Sequence, residues 1–174
     1  MALHPMLARA AGAALCCAAG VALAQEAALR VYVSDPTGTA TNVRAAPSGA
    51  VLGTLDVKGD YSATLHGCEK GWCRISDITA AADGAAPHLK YNAGGQWLHT
   101  SVLAFSTRNY GGQKLVLRAK PGENAAPVFS FTDERVLRPL DVRGHWVQAE
   151  TLDKKHRGWL DVEWVCGNPV STCP

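Results

Sequence analysis

Asn42-Val43-Arg44-Ala45-Ala46-Pro47 is the stretch that decides the fold, because it returns later in the chain as Val116-Leu117-Arg118-Ala119-Lys120-Pro121. The positions of Arg44 and Arg118 differ by 74 (118 − 44), and the same offset separates the two prolines, and Trp72 from Trp146. Three matches at one offset indicate an internal repeat. A repeat of this kind determines how the whole chain is divided, so it is considered before the individual strands. The sequence therefore predicts two similar small domains in one chain.

Short runs of strand-forming residues, separated by Gly, Pro, Asp or Asn, fill both copies of the repeat. In the first copy the predicted strands are Leu29–Val33, Thr41–Arg44, Val51–Leu55, Tyr61–His66, Trp72–Ile75, Gln96–His99 and Val102–Phe105. In the second copy they are Leu115–Arg118, Val128–Phe131, Val136–Leu140, Trp146–Thr151 and Gly158–Val162. After the N-terminal segment no stretch shows the apolar period of a helix, so the sequence predicts an all-β protein.

The two copies differ in length at one place. Trp97 and Trp159 also match, but at an offset of 62 (159 − 97), so the first copy is longer by 12 (74 − 62), and the excess lies within Thr79–Gly95. Residues 103–107 match residues 29–33, which places the end of one domain directly against the start of the next. We predict a first unit over residues 28–105 and a second unit over residues 106–174.

Residues 1–24 have the pattern of a secretory signal peptide. His4 and Arg9 precede an apolar run over Ala10–Val21, which is too short to span a bilayer. Ala22-Leu23-Ala24 then supplies small residues for cleavage before Gln25. We expect an exported protein, periplasmic or secreted, with no transmembrane segment.

Four of the six cysteines, Cys68, Cys73, Cys166 and Cys173, lie beyond the predicted signal peptide. An even number in an exported chain indicates disulfides, and four cysteines allow three pairings. Each local pair closes a short turn that contains glycine, so we favour Cys68–Cys73 and Cys166–Cys173. A zinc site built from the four thiolates is the alternative, but the spacing and the export signal favour disulfides.

The repeated motifs resemble the bacterial SH3-like domain family. In the first unit Asn42–Ser48, Gly71–Ile75 and Gly95–Leu98 resemble the Asn-Val-Arg-x-x-Pro-Ser, Gly-Trp-x-Lys/Arg-Val and Gly-Trp-Val motifs typical of that family. The second unit departs from the pattern at Leu117 and at Gly122. The resemblance implies two tandem SH3-like small β barrels. It also implies a non-catalytic role in binding cell-wall peptides.

Composition and motifs exclude several other classes of function. The net charge of +2 is too balanced to indicate a nucleic-acid partner. Phosphate loops, dinucleotide-binding motifs and the Gly-x-Ser-x-Gly nucleophile motif are missing, and the histidines are scattered without metal-ligand spacing. We therefore expect no enzymatic activity, no cofactor and no metal.

Exposed aromatic side chains are the best candidates for ligand contacts, because aromatic rings beside a concave surface bind peptides and glycans. We select Trp72, Trp146, Tyr91 and Tyr110. Arg44 and Arg118 recur in both copies with proline, which favours a structural role over ligand binding. Ligand specificity is expected where the copies differ, in Thr79–Gly95 and in Leu152–Arg157.

These observations lead to a hypothesis of an exported binding protein that recognises a peptide or protein ligand through two SH3-like modules. A peptidoglycan stem peptide is the ligand that the resemblance implies. The alternative is a scaffold, subunit or inhibitor of another exported protein, which the absence of an attached enzyme domain favours.

Overall fold

The computed structural model describes residue 1 and residues 28–173, and it is built almost entirely of antiparallel strands. The strands are β1 (Leu29–Val33), β2 (Thr41–Arg44), β3 (Val51–Leu55), β4 (Tyr61–Glu69), β5 (Trp72–Ala80), β6 (Gln96–His99), β7 (Leu103–Thr107), β8 (Leu115–Arg118), β9 (Pro127–Phe131), β10 (Val136–Arg143), β11 (Trp146–Thr151), β12 (Arg157–Asp161) and β13 (Val165–Cys166). Single 3-10 turns precede β7 and β13. The prediction of an all-β protein is confirmed.

The strand pairings repeat in the same way as the sequence. In the first unit β1 pairs with β4 and β7, β4 with β5, β5 with β6, β6 with β2, and β2 with β3. In the second unit β7 pairs with β10 and β13, β10 with β11, β11 with β12, β12 with β8, and β8 with β9. Each pairing in the first unit therefore has a counterpart in the second.

Strand β7 belongs to both units. Leu103 and Ala104 pair with β1, whereas Phe105 and Ser106 pair with β10, so one strand continues from the first ladder into the second. The order of paired strands is β3-β2-β6-β5-β4-β1-β7-β10-β11-β12-β8-β9. In this order of neighbouring strands, called the strand path below, β3 and β9 are the two ends. Closure of each unit into a separate barrel stays a prediction. The predicted boundary after residue 105 falls inside β7.

Alternating side chains of both units meet in one apolar core. Every second residue of a strand faces the same side of a sheet, so strands such as β2 and β8 each bury two residues and leave the other two exposed or partly exposed. The largest fully buried apolar side chains come from both units: Val31, Val43, Leu55, Leu65, Leu98, Leu103, Phe105, Leu117, Leu137, Val147 and Leu160. Shared packing holds two units that are each short for an independent core.

Polar contacts also join the units. The Ser62 hydroxyl donates to the Gly167 carbonyl over 3.1 Å, and the Tyr32 hydroxyl lies 3.1 Å from the Ser106 hydroxyl. Gly167 lies directly on the backbone of β1, where an added Cβ would overlap the Arg30 carbonyl and lie 2.7 Å from the Val31 nitrogen. The C-terminal segment after β13 can therefore contact the first unit only because residue 167 has no side chain.

Both predicted disulfides are present. Cys68–Cys73 joins directly opposed residues of β4 and β5, and Cys166–Cys173 closes the C-terminal segment. The predicted strands end at His66 and resume at Trp72, whereas β4 continues to Glu69. Lys70 and Gly71, with φ of +50° and +81°, form the turn alone, as expected for a two-residue hairpin loop. Two disulfides indicate an oxidising, extracytoplasmic environment.

The additional residues of the first unit cover the edge of β3. The connection from β5 to β6, residues 81–95, runs beside this strand, where the Lys90 N–H donates to the Leu52 carbonyl over 3.0 Å. The Leu89 side chain occupies the space that a side chain on Gly53 would need, since a Cβ there would lie 2.7 Å from Leu89 Cδ2. This connection, called the insertion below, thus caps an end of the strand path.

Two expectations concern segments that would lie in or across a membrane. The predicted signal peptide, residues 1–24, falls outside the described residues apart from residue 1. Among the residues that the structure does describe, no helix has the length and apolar character needed to cross a bilayer.

Candidate functional site

The first predicted contact residue, Trp72, begins β5 and is half-buried. His99 on β6 is its direct cross-strand partner, and the two rings meet edge to face with centroids 5.1 Å apart. The Arg44 guanidinium lies 5.8 Å from the centre of the indole ring and donates to the Gly49 carbonyl over 2.7 Å. Neighbouring side chains therefore cover part of the Trp72 ring.

Trp146 holds the equivalent position at the start of β11, but its surroundings form an open cleft of about 140 Å³. Trp164, in the 3-10 turn before β13, lines the same cleft. Ligand pockets usually enclose at least about 300 Å³. This cleft therefore suits one side chain or one terminal group of a longer ligand.

Charged groups of both signs line the Trp146 cleft. Glu123, Asp161 and Glu163 supply carboxylates, and Lys114 and Arg118 supply cations. The three carboxylates come from the turn after β8, from the end of β12 and from the 3-10 turn that follows it. Lys114 lies immediately before β8, and Arg118 is the last residue of that strand. A cleft with aromatic walls and both charges matches the groups of a peptide, which carries amines, carboxylates and apolar side chains.

The corresponding residues of the first unit lack most of this chemistry. At the offset of 62, Asp161 matches His99 and Trp164 matches Val102. Asp161 and His99 keep one structural task, since each accepts a hydrogen bond from a backbone N–H at the start of its 3-10 turn. The second tryptophan and the nearby carboxylate are therefore particular to the second unit, and the fold does not require them.

Arg118 is fixed in the same way as its repeat partner Arg44. Its guanidinium donates to the Ala125 carbonyl over 2.9 Å, as Arg44 donates to Gly49. Both arginines thus hold the turn between the second and third strands of their unit. This contact agrees with the structural role expected from the repeat, although Arg118 also lines the cleft.

The two tyrosines lie apart from the Trp146 cleft. Tyr91 is 91 % exposed in the insertion and lines a groove of about 390 Å³ with Ser76, Asp77 and Lys90. The Tyr110 hydroxyl accepts a hydrogen bond from the Cys173 N–H over 3.0 Å and anchors the C-terminal segment. The structure therefore does not bring the four predicted contact residues into one site.

The prediction missed Trp164 and Glu163 as cleft residues. Both lie far from β8 along the chain and reach it only through pairing of β12 with β8 at Trp159 and Arg118. A comparison of the two copies at the offset of 62 contains the relevant signal, because Val102 becomes Trp164. Positions where a repeat changes from aliphatic to aromatic are candidates for function.

Two serines lie close enough to a histidine to raise the question of nucleophilic chemistry. Ser101 Oγ lies 2.8 Å from His99 Nδ1, but the same nitrogen accepts from the Ser101 N–H, so this pair caps the 3-10 turn. His66 Nε2 lies 2.7 Å from Ser76 Oγ, which donates to Asp77 Oδ2 over 2.8 Å. The serine stands between the other two groups, whereas a serine nucleophile needs the imidazole between the serine and the carboxylate. Within residues 28–173 no three potential metal ligands cluster.

Asp35 and Asp153 are two carboxylates in turns with lowered pKa values. Burial acts to raise the pKa of Asp35, but hydrogen bonds from the Thr37 N–H and from the Thr37 and Thr41 hydroxyls outweigh it and lower the pKa. A hydrogen bond from the Thr151 hydroxyl is the main cause of the lowered pKa of Asp153. Both carboxylates brace the backbone of their own turns.

Comparisons with known proteins add little to this geometry. No family model matches the chain, and no curated protein matches it. The solved structures of NlpC2 and NlpC1 from Trichomonas vaginalis share 9 % and 10 % sequence identity with it, each with a TM-score of 0.31. Each alignment covers 81 % of this chain but only 48 % and 46 % of those proteins, so the chain spans about half their length. A TM-score this low assigns neither a fold family nor an activity.

Proposed function

We propose that the chain is an exported, non-catalytic binding protein, periplasmic or secreted, with two SH3-like units. Its ligand is a peptide, and the cleft of Trp146 and Trp164 binds one side chain or one end of it. One observation carries this proposal. Two indole rings, two cations and three carboxylates line the same cleft. The motif resemblance supports a cell-wall stem peptide as the ligand, since such peptides carry both amines and carboxylates.

The hydrogen-bonding pattern supports a role without chemistry. The Ser76 hydroxyl beside His66 is arranged as a structural link to Asp77. Ser101 beside His99 belongs to the cap of a 3-10 turn, so neither serine is arranged as an activated nucleophile. The cleft itself holds tryptophans, carboxylates and cations but no histidine or cysteine. These groups bind and orient a ligand.

Retention on purified cell-wall sacculi at low salt tests the proposal. Wild-type chain should be retained, and Trp146→Ala should weaken retention about 30-fold, because removing a central aromatic contact costs about 2 kcal/mol of binding. Trp72→Ala is the matched control, since Trp72 has the same strand position but no second tryptophan beside it. Its retention should change less than about twofold.

Two results would count against the proposal. Wild-type chain that passes through the sacculi unretained removes the cell-wall peptide as ligand. Equal losses in Trp146→Ala and Trp72→Ala would assign binding to a feature common to both units. Circular dichroism spectra and free-thiol counts of both variants confirm that each has folded and kept its two disulfides.

A further inference from the structure

The two ends of the strand path differ in how they are protected. The outer edge of β3 is covered by the chain's own insertion, through the bond from the Lys90 N–H to the Leu52 carbonyl. Strand β9 is the other end of the path. Unpaired strand edges expose main-chain donors and acceptors, which bind other strands unless something covers them.

The repeat identifies which residues of β9 correspond to the covered ones of β3. Gly53 pairs with Val43 and Phe129 pairs with Leu117, and both pairs are followed by the same irregularity in the ladder. Leu52 therefore corresponds to Val128. Leu52 is 8 % exposed beneath the insertion, whereas Val128 is 47 % exposed. The same position is buried in one unit and open in the other.

The second unit has only a short turn where the first has the insertion. This turn, residues 152–156 between β11 and β12, contacts β9 through the His156 ring, which stacks on Phe129 with centroids 3.8 Å apart and planes 8° apart. Phe129 and His156 thus fill the side-chain space that Leu89 fills above Gly53. The turn provides no counterpart of the Lys90 main chain, and among the described residues no hydrogen bond outside the ladders reaches Val128.

From this difference we propose that β9 binds an extended segment of another exported protein by strand addition. The segment bonds its main chain to the outer edge at Val128, as the Lys90 main chain does to β3 at Leu52. The bound segment carries a small residue opposite Phe129. The Phe129 side chain already fills the space that Leu89 of the insertion fills above Gly53 in the first unit. An apolar residue of the segment covers Val128.

The sequence of β9 fits a foreign partner better than a second copy of this chain. None of residues 127–131 is charged, so an added segment buries no charge of the strand itself. The Arg135 guanidinium lies over the Phe129 and Phe131 rings, 5.3 Å and 5.2 Å from their centres. A second β9 would bring Pro127, which has no N–H to donate, and two phenylalanines where a small residue is needed. Self-association is therefore an outcome of the test that would overturn the proposal.

The chain provides its own probe for this edge. Two capped synthetic peptides are compared, one with the sequence of residues 86–92 and one with the same sequence carrying Leu89→Gly. Each is titrated to millimolar concentration into the isotopically labelled, oxidised chain while the backbone amide signals are followed by NMR. The glycine peptide should shift the signals of Val128 and Ser130, and should bind about tenfold more tightly than the leucine peptide. The signals of Leu52 should stay fixed, because the tethered insertion already covers it.

A Phe129→Gly variant should reverse this preference, since it reproduces the arrangement of Gly53 and makes room for leucine. Should that variant fail to fold, His156→Ala is used, which removes the ring above Phe129 and should raise the affinity of the leucine peptide toward that of the glycine peptide. The proposal is overturned by unshifted Val128 and Ser130 signals with both peptides, or by equal affinities that neither variant changes. Sedimentation that shows a dimer lost in Val128→Lys but kept in Val51→Lys would overturn it in favour of a second copy.

Discussion

Replacing Gly167 by alanine tests the contact that fastens the C-terminal segment to the first unit. The added Cβ would overlap the Arg30 carbonyl and lie 2.7 Å from the Val31 nitrogen. Both atoms belong to the backbone of β1, which pairs with β4 at these residues and with β7 at the two residues that follow. Backbone cannot move aside as a flexible side chain can. The segment must lift instead, and the hydrogen bond from the Ser62 hydroxyl to the Gly167 carbonyl is lost with it.

The expected loss is about 2–3 kcal/mol of unfolding free energy, from forced overpacking and one buried hydrogen bond. For a chain of this size that corresponds to a fall in Tm of about 4–12 °C. Thermal unfolding followed by circular dichroism measures it. Gly67→Ala is the control, because a Cβ on Gly67 meets nothing within 4 Å and its φ is not positive. Equal Tm values for Gly167→Ala and Gly67→Ala would refute the reasoning.

Three further changes probe other parts of the structure. Removing the Cys68–Cys73 disulfide by a double change to alanine should cost about 2 kcal/mol in denaturant unfolding, since the closed loop is short; a loss close to zero would contradict this. Asp35 has a pKa below 3.8, so it stabilises the fold above that pH and loses its contribution as the pH falls further. Asp35→Asn should therefore unfold with a shallower pH dependence below about pH 4, whereas an unchanged slope would count against the role of its hydrogen bonds. Leu89→Ala should cost about 1–2 kcal/mol in chemical denaturation by leaving a gap above Gly53, and a neutral result would mean that the insertion does not pack on β3.

Most strands could be predicted because their signals are local. Leu29–Val33, Thr41–Arg44 and Leu115–Arg118 occur as predicted, since each is a short strand-forming run bounded by turn residues. The full lengths of β4 and β5 could not be predicted from local sequence, since both strands extend beyond their predicted ends. Gly67 to Glu69 looked like turn residues, but the cross-strand disulfide and the two-residue turn at Lys70 and Gly71 keep them in the ladder.

The candidate site was only partly predictable because its parts come from distant segments. Trp146 was selected from the repeat, but Trp164 and Glu163 join it through pairing of β12 with β8, which leaves no local pattern in the sequence. The cover that Leu89 forms over Gly53 was likewise hidden, since it depends on where an irregular connection packs. Repeats predict the scaffold well, whereas differences between copies need the three-dimensional arrangement before they can be interpreted.

The most direct test of peptide binding in the cleft is an NMR titration of the tryptophan indole N–H signals with a purified cell-wall stem peptide. The chain has five tryptophans, and each gives its own signal in the oxidised protein. We expect the signals of Trp146 and Trp164 to shift with a common saturation curve, while that of the buried Trp159 stays fixed. A saturating shift confined to Trp72, or no shift at any tryptophan, would contradict the assignment of the Trp146 cleft as the peptide site.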